Sequence, residues 1–225
     1  MAVGNTSAAQ WRAIEDVSVL AASTQRPWTE ISPAVVDNFQ RDGVVILREA
    51  FPKWVEPLRA GLQRNLDNPR NFAFPCDSAN DDEPGRFFDS YCNWQLIPEY
   101  LLFIFTSEAA AIAAQLMESQ PAQLFHDHAF TKEPGTQKAT PWHQDGQYWP
   151  IRPLASCSAW IAIDEVNTKN GCMRVIPGSH KGSAVLDHHT NPSDDLTLNQ
   201  ELNEYQFDER DAVDVILKPG QMSFH

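Results

Sequence analysis

No run of about 18 consecutive apolar residues occurs in the chain, so nothing reads as a membrane-spanning helix and no membrane partner is expected. The first 23 residues, MAVGNTSAAQWRAIEDVSVLAAS, lack a basic stretch ahead of an apolar core. No secretory signal is read there, and a cytoplasmic location is the expectation. Basic residues are few, 17 Lys and Arg against 30 Asp and Glu, giving a formal net charge of -13 and a pI near 4.8. Such a chain repels phosphate backbones, which excludes nucleic acid as an expected partner. Cysteines number only four: Cys76, Cys92, Cys157 and Cys172. None forms a CxxC pair, which argues against a zinc knuckle or a thioredoxin-like motif, and free thiols suit a reducing compartment. Internal repeats and low-complexity tracts are also missing.

What is present suits one domain. The chain has 225 residues, 42% of them hydrophobic, enough for a sizeable core. The first half, to about residue 120, reads as mostly helical. Ser32-Pro33 is a cap followed by proline at the first helical position, and Gly43 stops the pattern after AVVDNFQRD. Val44 to Leu47 is a short β-branched run and predicts a strand. Trp54 to Leu66 carries Val55, Leu58, Leu62 and Leu66 at helical spacing. Asn68 to Gly85, rich in Asn, Asp and Pro, reads as a long loop. Ser107 to Met117 predicts a helix with a serine cap and a run of alanines. From about residue 121 the period changes. QLFHDHAFTK alternates, SCSAWIAIDEV and GCMRVIPGSH read as strands, and DAVDVILKPGQMSFH reads as two strands joined at Pro219-Gly220. Short strands after helices predict a β-sandwich or jelly roll with helices packed on one side. His180 to Asp211 is acidic and polar, and reads as a lid or a solvated loop.

Chemistry concentrates in TPWHQDGQYWP, Thr140 to Pro150. Read as a strand, residues i and i+2 share a face, so His143 and Asp145 project together. One imidazole and one carboxylate are two of the three protein ligands of a facial iron(II) site, which leaves positions open for a co-substrate and oxygen. An HxD tripeptide is also common by chance, and a polar turn between two tryptophans would read the same. His126 and His128 form a second same-face pair on a predicted strand. His188-His189 reads as solvated, and His180 as a cap on the Pro177-Gly178 turn.

The order of the surrounding segments narrows the choice. FTKEPGT, then TPWHQDGQYWP, then SAWIAIDEVNTKNGCMRVIPGSHKG, then LKPGQMSFH, with VVILREAF ahead of them, resembles the phytanoyl-CoA dioxygenase-like branch of iron(II)/2-oxoglutarate-dependent oxygenases. The resemblance covers most of the chain. It implies a mainly β fold with helices: a double-stranded β-helix (a cupin-like jelly roll) with N-terminal helices packed on one sheet. It implies a dioxygenase that hydroxylates an unactivated C–H bond of a small organic substrate and releases succinate and CO2. The implied cofactors are Fe(II) and 2-oxoglutarate, and the partners are a small-molecule substrate and O2.

By resemblance, His143 and Asp145 are the catalytic metal ligands. Trp160 lines the 2-oxoglutarate pocket, and Lys132 and Thr140 fall near positions that contact the co-substrate. Tyr148 and Trp149 wall the substrate side, with core packing the alternative for Trp149 and Trp160. Halogenating relatives carry a small residue in place of the carboxylate, so Asp145 points to hydroxylation. The family pattern departs at the end. Its distal histidine falls about five residues beyond the position of His225, with an arginine for 2-oxoglutarate further on. The expectation is that 1–225 is one oxygenase domain lacking its C-terminal strands, with the distal ligand beyond His225; the alternative is His225 itself as ligand. Two other classes stay open: a non-redox jelly-roll metal-binding protein or isomerase, and an inactive family member acting as a binding protein. Substrate identity and oligomeric state are not legible.

Overall fold

The computed structural model describes residues 30–68, 74–78, 84–136, 139–147, 149, 155–181, 188–190, 200–202 and 207–225. Helix α1 spans Pro33–Asp42 and begins with proline at its first turn, as expected. It stops at Gly43, whose φ of +72° closes the helix with a bond from its N–H to the Phe39 carbonyl. A Cβ at Gly43 would stand 2.2 Å from the His180 ring, so conformation and space both require glycine there. Strand β1 (Val45–Leu47) and helix α2 (Val55–Asp67) fall where the pattern placed them. Helix α3 (Pro98–Thr106) precedes α4 (Ala109–Leu116), and Ser107 Oγ accepts a bond from the Ala109 N–H.

The expected loop from Asn68 to Gly85 is partly wrong. It contains strand β2 (Phe74–Ser78), which pairs antiparallel with β3 (Phe87–Tyr91). Tertiary pairing to a neighbouring strand overrides the turn-like composition. Strand β3 in turn pairs with β4 (His128–Lys132). A second sheet has the order β1-β10-β5, with β5 at Ala159–Ile161 and β10 at Met222–Phe224. Two-stranded pairs follow: β6 (Arg174–Val175) with β9 (Val213–Asp214), and β7 (His188–Thr190) with β8 (Gln200–Leu202). The architecture is thus mixed helix and strand, with short strands in small sheets.

Alternation along the β1-β10-β5 sheet decides which side chains meet. Val45, Leu47, Met222, Phe224 and Ile161 turn one way, onto a cluster built from Phe39, Phe51, Trp54, Leu58, Ile97, Tyr100, Ile112 and Leu116. Helices therefore do pack on one face of a sheet. Full burial of each such side chain stabilises by about 1.5–3 kcal/mol. Ile46 and Trp160 turn the other way, towards Ala162, Val215 and Leu217. Residues Ser223 and His225 share that second face by the two-residue period of the strand. Gly220 (φ +81°) lets the turn before β10 press on Pro52, where a Cβ would meet Pro52 Cα at 2.7 Å.

No single helix among the described residues is long and apolar enough to cross a membrane. Cys92, Cys157 and Cys172 are free thiols, and burial pushes Cys157 up to about 11.

Candidate functional site

The backbone bond pattern of β5 and β10 continues one residue beyond the strands. Ser158 and His225 exchange both backbone hydrogen bonds, at 2.7 and 3.0 Å. They are a directly opposed pair, so their side chains stand next to each other on the inner face. Both reach the same carboxylate. Ser158 Oγ donates to Asp145 Oδ2, and His225 Nε2 lies 3.8 Å from that oxygen.

Asp145 itself is not on a strand. The expectation of a metal strand through His143 and Asp145 is corrected: residues 139–144 form no strand, and Asp145–Gln147 is a 3-10 turn. Pro141 has no N–H to give a ladder, which disfavours a strand at its position. The two side chains converge all the same, because the turn folds them together. His143 Nε2 stands 3.2 Å from Asp145 Oδ1.

The other nitrogen of His143 is equally informative. Nδ1 lies 2.8 Å from the Pro141 carbonyl oxygen, which can only accept, so Nδ1 carries the proton. That leaves Nε2 as the atom presented to Asp145 or to a metal, the arrangement by which outer groups orient ligating imidazoles. Electrostatics follow the same geometry. Burial opposes protonation of His143, but the bonds to Asp145 and Pro141 outweigh it and hold the ring above its ordinary value. Burial would raise Asp145; His143, His225 and Ser158 together hold it well below the usual carboxylate range. Burial, reinforced by His143, pushes His225 down despite Asp145.

The donor set suits a divalent ion on one edge. Two donors about 2.1 Å from one octahedral ion and at right angles are about 3 Å apart, close to the 3.2 Å observed for His143 and Asp145. A third donor is not in place: among the described residues, no three His, Cys, Asp or Glu side chains are grouped so as to hold one ion. His225 is near, and its buried Nδ1 has no hydrogen-bond partner among the described residues.

The other expected residues fall as follows. Trp160 lies on β5, two residues from Ser158, and its ring stacks on Phe130 of β4 at 6.1 Å with an interplanar angle of 2°. Lys132 is at the end of β4, half-buried, with its Nζ 5.5 Å from the Phe87 ring centroid; burial lowers its pKa. Thr140 is exposed ahead of Pro141. Tyr148 lies outside the described residues. Trp149 packs its ring against Phe125 and His126, at 5.9 and 6.0 Å.

Sequence reading missed two elements. Ser158, the donor to Asp145, was legible only as the residue two before Trp160. The second is a network around a buried carboxylate: the exposed His128 meets, through Nε2, Oδ1 of Asp89, a residue only 1% exposed, and the Tyr91 hydroxyl donates to Oδ2 at 3.3 Å. The Tyr91 ring also stacks on His128 at 4.0 Å. Of the flagged pair, His128 thus has a carboxylate partner, while His126 lies among aromatic rings. His180 reaches back to the Gln40 carbonyl at 3.2 Å, instead of capping its own turn.

Known proteins resemble this chain in sequence and in fold. Residues 39–225 match the family described as phytanoyl-CoA dioxygenase (PhyH). The human peroxisomal phytanoyl-CoA dioxygenase is 27% identical over 225 aligned residues, covering 93% of this chain and 62% of that protein. The mouse protein of the same name is 31% identical over 164 residues, 71% of this chain and 41% of its own length. The chain therefore spans about two fifths to three fifths of these curated relatives. Among solved structures, EvdO2 from Micromonospora carbonacea var. aurantiaca, complexed with 2-oxoglutarate, superposes with a TM-score of 0.68 at 23% identity, over 89% of this chain and 83% of that one. The carbocyclase SnoK from nogalamycin biosynthesis gives 0.68 at 23% identity, over 88% and 77%. At this identity the likeness is one of fold.

Proposed function

The chain belongs to the phytanoyl-CoA dioxygenase family, and on that premise we propose that it is an iron(II)- and 2-oxoglutarate-dependent oxygenase. It hydroxylates an unactivated C–H bond of a small organic substrate, using O2 and releasing succinate and CO2. The fold is then a double-stranded β-helix with helices on one sheet. The observation that carries the reading is the His143–Asp145 edge, with Nε2 turned to the carboxylate because Pro141 occupies Nδ1. Bound iron and 2-oxoglutarate supply the oxidising chemistry. The protein's residues hold and shape.

His143 and Asp145 take the ion, and Ser158 fixes the second carboxylate oxygen. The family pattern puts the distal ligand beyond His225; a second reading makes His225 the ligand, favoured by its 3.8 Å approach to Asp145. Lys132 is a half-buried cation with no carboxylate partner among the described residues, and it suits the distal carboxylate of 2-oxoglutarate. Trp160, flat against Phe130, walls that pocket and limits water. Thr140 stays on the co-substrate side by resemblance alone. Trp149 and Tyr148 are assigned to the substrate wall, Trp149 with Phe125 and His126 beside it.

The test is succinate release by the full-length protein with Fe(II), 2-oxoglutarate and a panel of small substrates. Decarboxylation, coupled or uncoupled, is expected. Bound metal without any 2-oxoglutarate consumption refutes the proposal. Thermal stabilisation by a 2-oxoglutarate analogue that cannot be decarboxylated separates this reading from a non-redox metalloprotein or isomerase.

A further inference from the structure

Residues 139–144 belong to no strand, yet they must hold His143 steady. Something other than a ladder does so, and it grips the residue before the ligand. Trp142 Nε1 donates to Glu209 Oε1 at 2.9 Å. The Phe207 ring lies 5.2 Å away, and the Arg174 guanidinium covers the indole at 5.5 Å. The clasp is cross-braced. Arg174 Nη1 donates to Glu209 Oε2 at 3.3 Å, its Nη2 to the Glu209 carbonyl at 3.4 Å, and its Nε stands 3.4 Å from Asp214. Arg174 and Asp214 are direct partners in the β6–β9 pair. Asp208 caps the 3-10 turn that carries Glu209 by accepting from the Arg210 N–H.

The geometry points to Trp142 as a positioning residue for the metal centre: its clasp by Arg174, Phe207 and Glu209 fixes the Pro141–His143 backbone, and with it the carbonyl that orients His143. The inference rests on the metal reading above. It adds a device that the HxD motif does not contain. Because Arg174 precedes the acidic stretch His180 to Asp211 and Glu209 lies near its end, the clasp also ties the base of that stretch to the ligand turn. A group that acts by orienting a ligand shows itself in metal affinity and ligand field, not in folding alone.

The experiment uses Co(II) as a probe in the full-length protein, followed by calorimetry and by its visible absorption. Trp142→Ala is expected to weaken Co(II) binding about tenfold and to shift the d–d bands. Trp142→Phe keeps the ring contacts, loses the donation, and is expected to fall between. Glu209→Ala, at an exposed side chain, serves if Trp142→Ala does not fold; a loss of about threefold is expected from one removed hydrogen bond. Affinity and spectrum within twofold of wild type in Trp142→Ala and in Glu209→Ala overturn the inference. So does a loss that merely follows the unfolded fraction. Absence of Co(II) uptake by the wild type itself overturns the metal reading, and is recognisable because no substitution is involved.

Discussion

Asp145→Asn removes charge from the proposed metal edge while keeping the side chain's shape. The amide retains an oxygen to accept from Ser158, so the second face of the group stays held. What is lost is the one anion among His143, Asp145 and His225. At an effective dielectric of about 20, a dication and a carboxylate charge about 3 Å apart attract by on the order of 10 kcal/mol. Stripping water from both offsets most of that. A net loss of about 3–4 kcal/mol, or roughly 150- to 1,000-fold in metal affinity, is the expectation. Calorimetric titration of the full-length protein with Co(II) reads this directly, and anaerobic Fe(II) titration repeats it. A second readout needs no metal. His143 is held above its ordinary value in part by its bond to Asp145, so its titration midpoint should fall in the variant. NMR of the imidazole follows it. Metal affinity within threefold of wild type, with the His143 titration unmoved, refutes the pairing on which the site is built.

Three further outcomes follow from the same geometry. His225→Ala should lower Co(II) affinity at least 100-fold if His225 is the third ligand, and less than about tenfold if it only neighbours the carboxylate, since outer groups are worth about 10- to 100-fold at most. Metal affinity should fall as pH drops, beginning above pH 6.5. His143 holds its Nε2 proton above that ordinary value and must release it to the ion, whereas His225 is shifted down and Asp145 stays ionised through this range; uptake independent of pH between 6 and 8 contradicts this. Asp89→Ala removes the carboxylate that His128 Nε2 and the Tyr91 hydroxyl share, and should cost about 1–2 kcal/mol in denaturant unfolding. A change under about 0.5 kcal/mol would show that water replaces the carboxylate at no cost.

Much of the fold was legible because the local signals were strong. Pro33 at the first turn and Gly43 at the end bracket α1, although Ser32 makes no side-chain cap bond, and the β-branched run at 44–47 could do little but extend. Strand β2 was hidden because its pairing with β3 is decided between segments, while its own residues, FPCDS, carry turn chemistry. Helix α3, PEYLLFIFT, is apolar nearly all round, so its periodicity is weak even though Tyr100 and Leu101 are buried. The acidic character of His180 to Asp211 said nothing of Glu209, because its partner Trp142 lies 67 residues away.

The pair His143 and Asp145 was singled out through an argument whose strand geometry did not hold. The i, i+2 rule belongs to strands, and these residues sit on a bend leading into a 3-10 turn. Their convergence has a different cause. The Pro141 carbonyl orients one ring, Ser158 and His225 meet the carboxylate from an adjacent pair of strands, and Trp142 is held from outside. A turn supported in this way can set two donors on one edge without a strand ladder. A strand would fix His143 and Asp145 by its own ladder, and then neither Ser158 nor Trp142 would be needed to hold them. The long-range contacts are therefore where the site's geometry resides, and substitutions at Ser158 or Trp142 should disturb metal binding while leaving the HQD tripeptide intact.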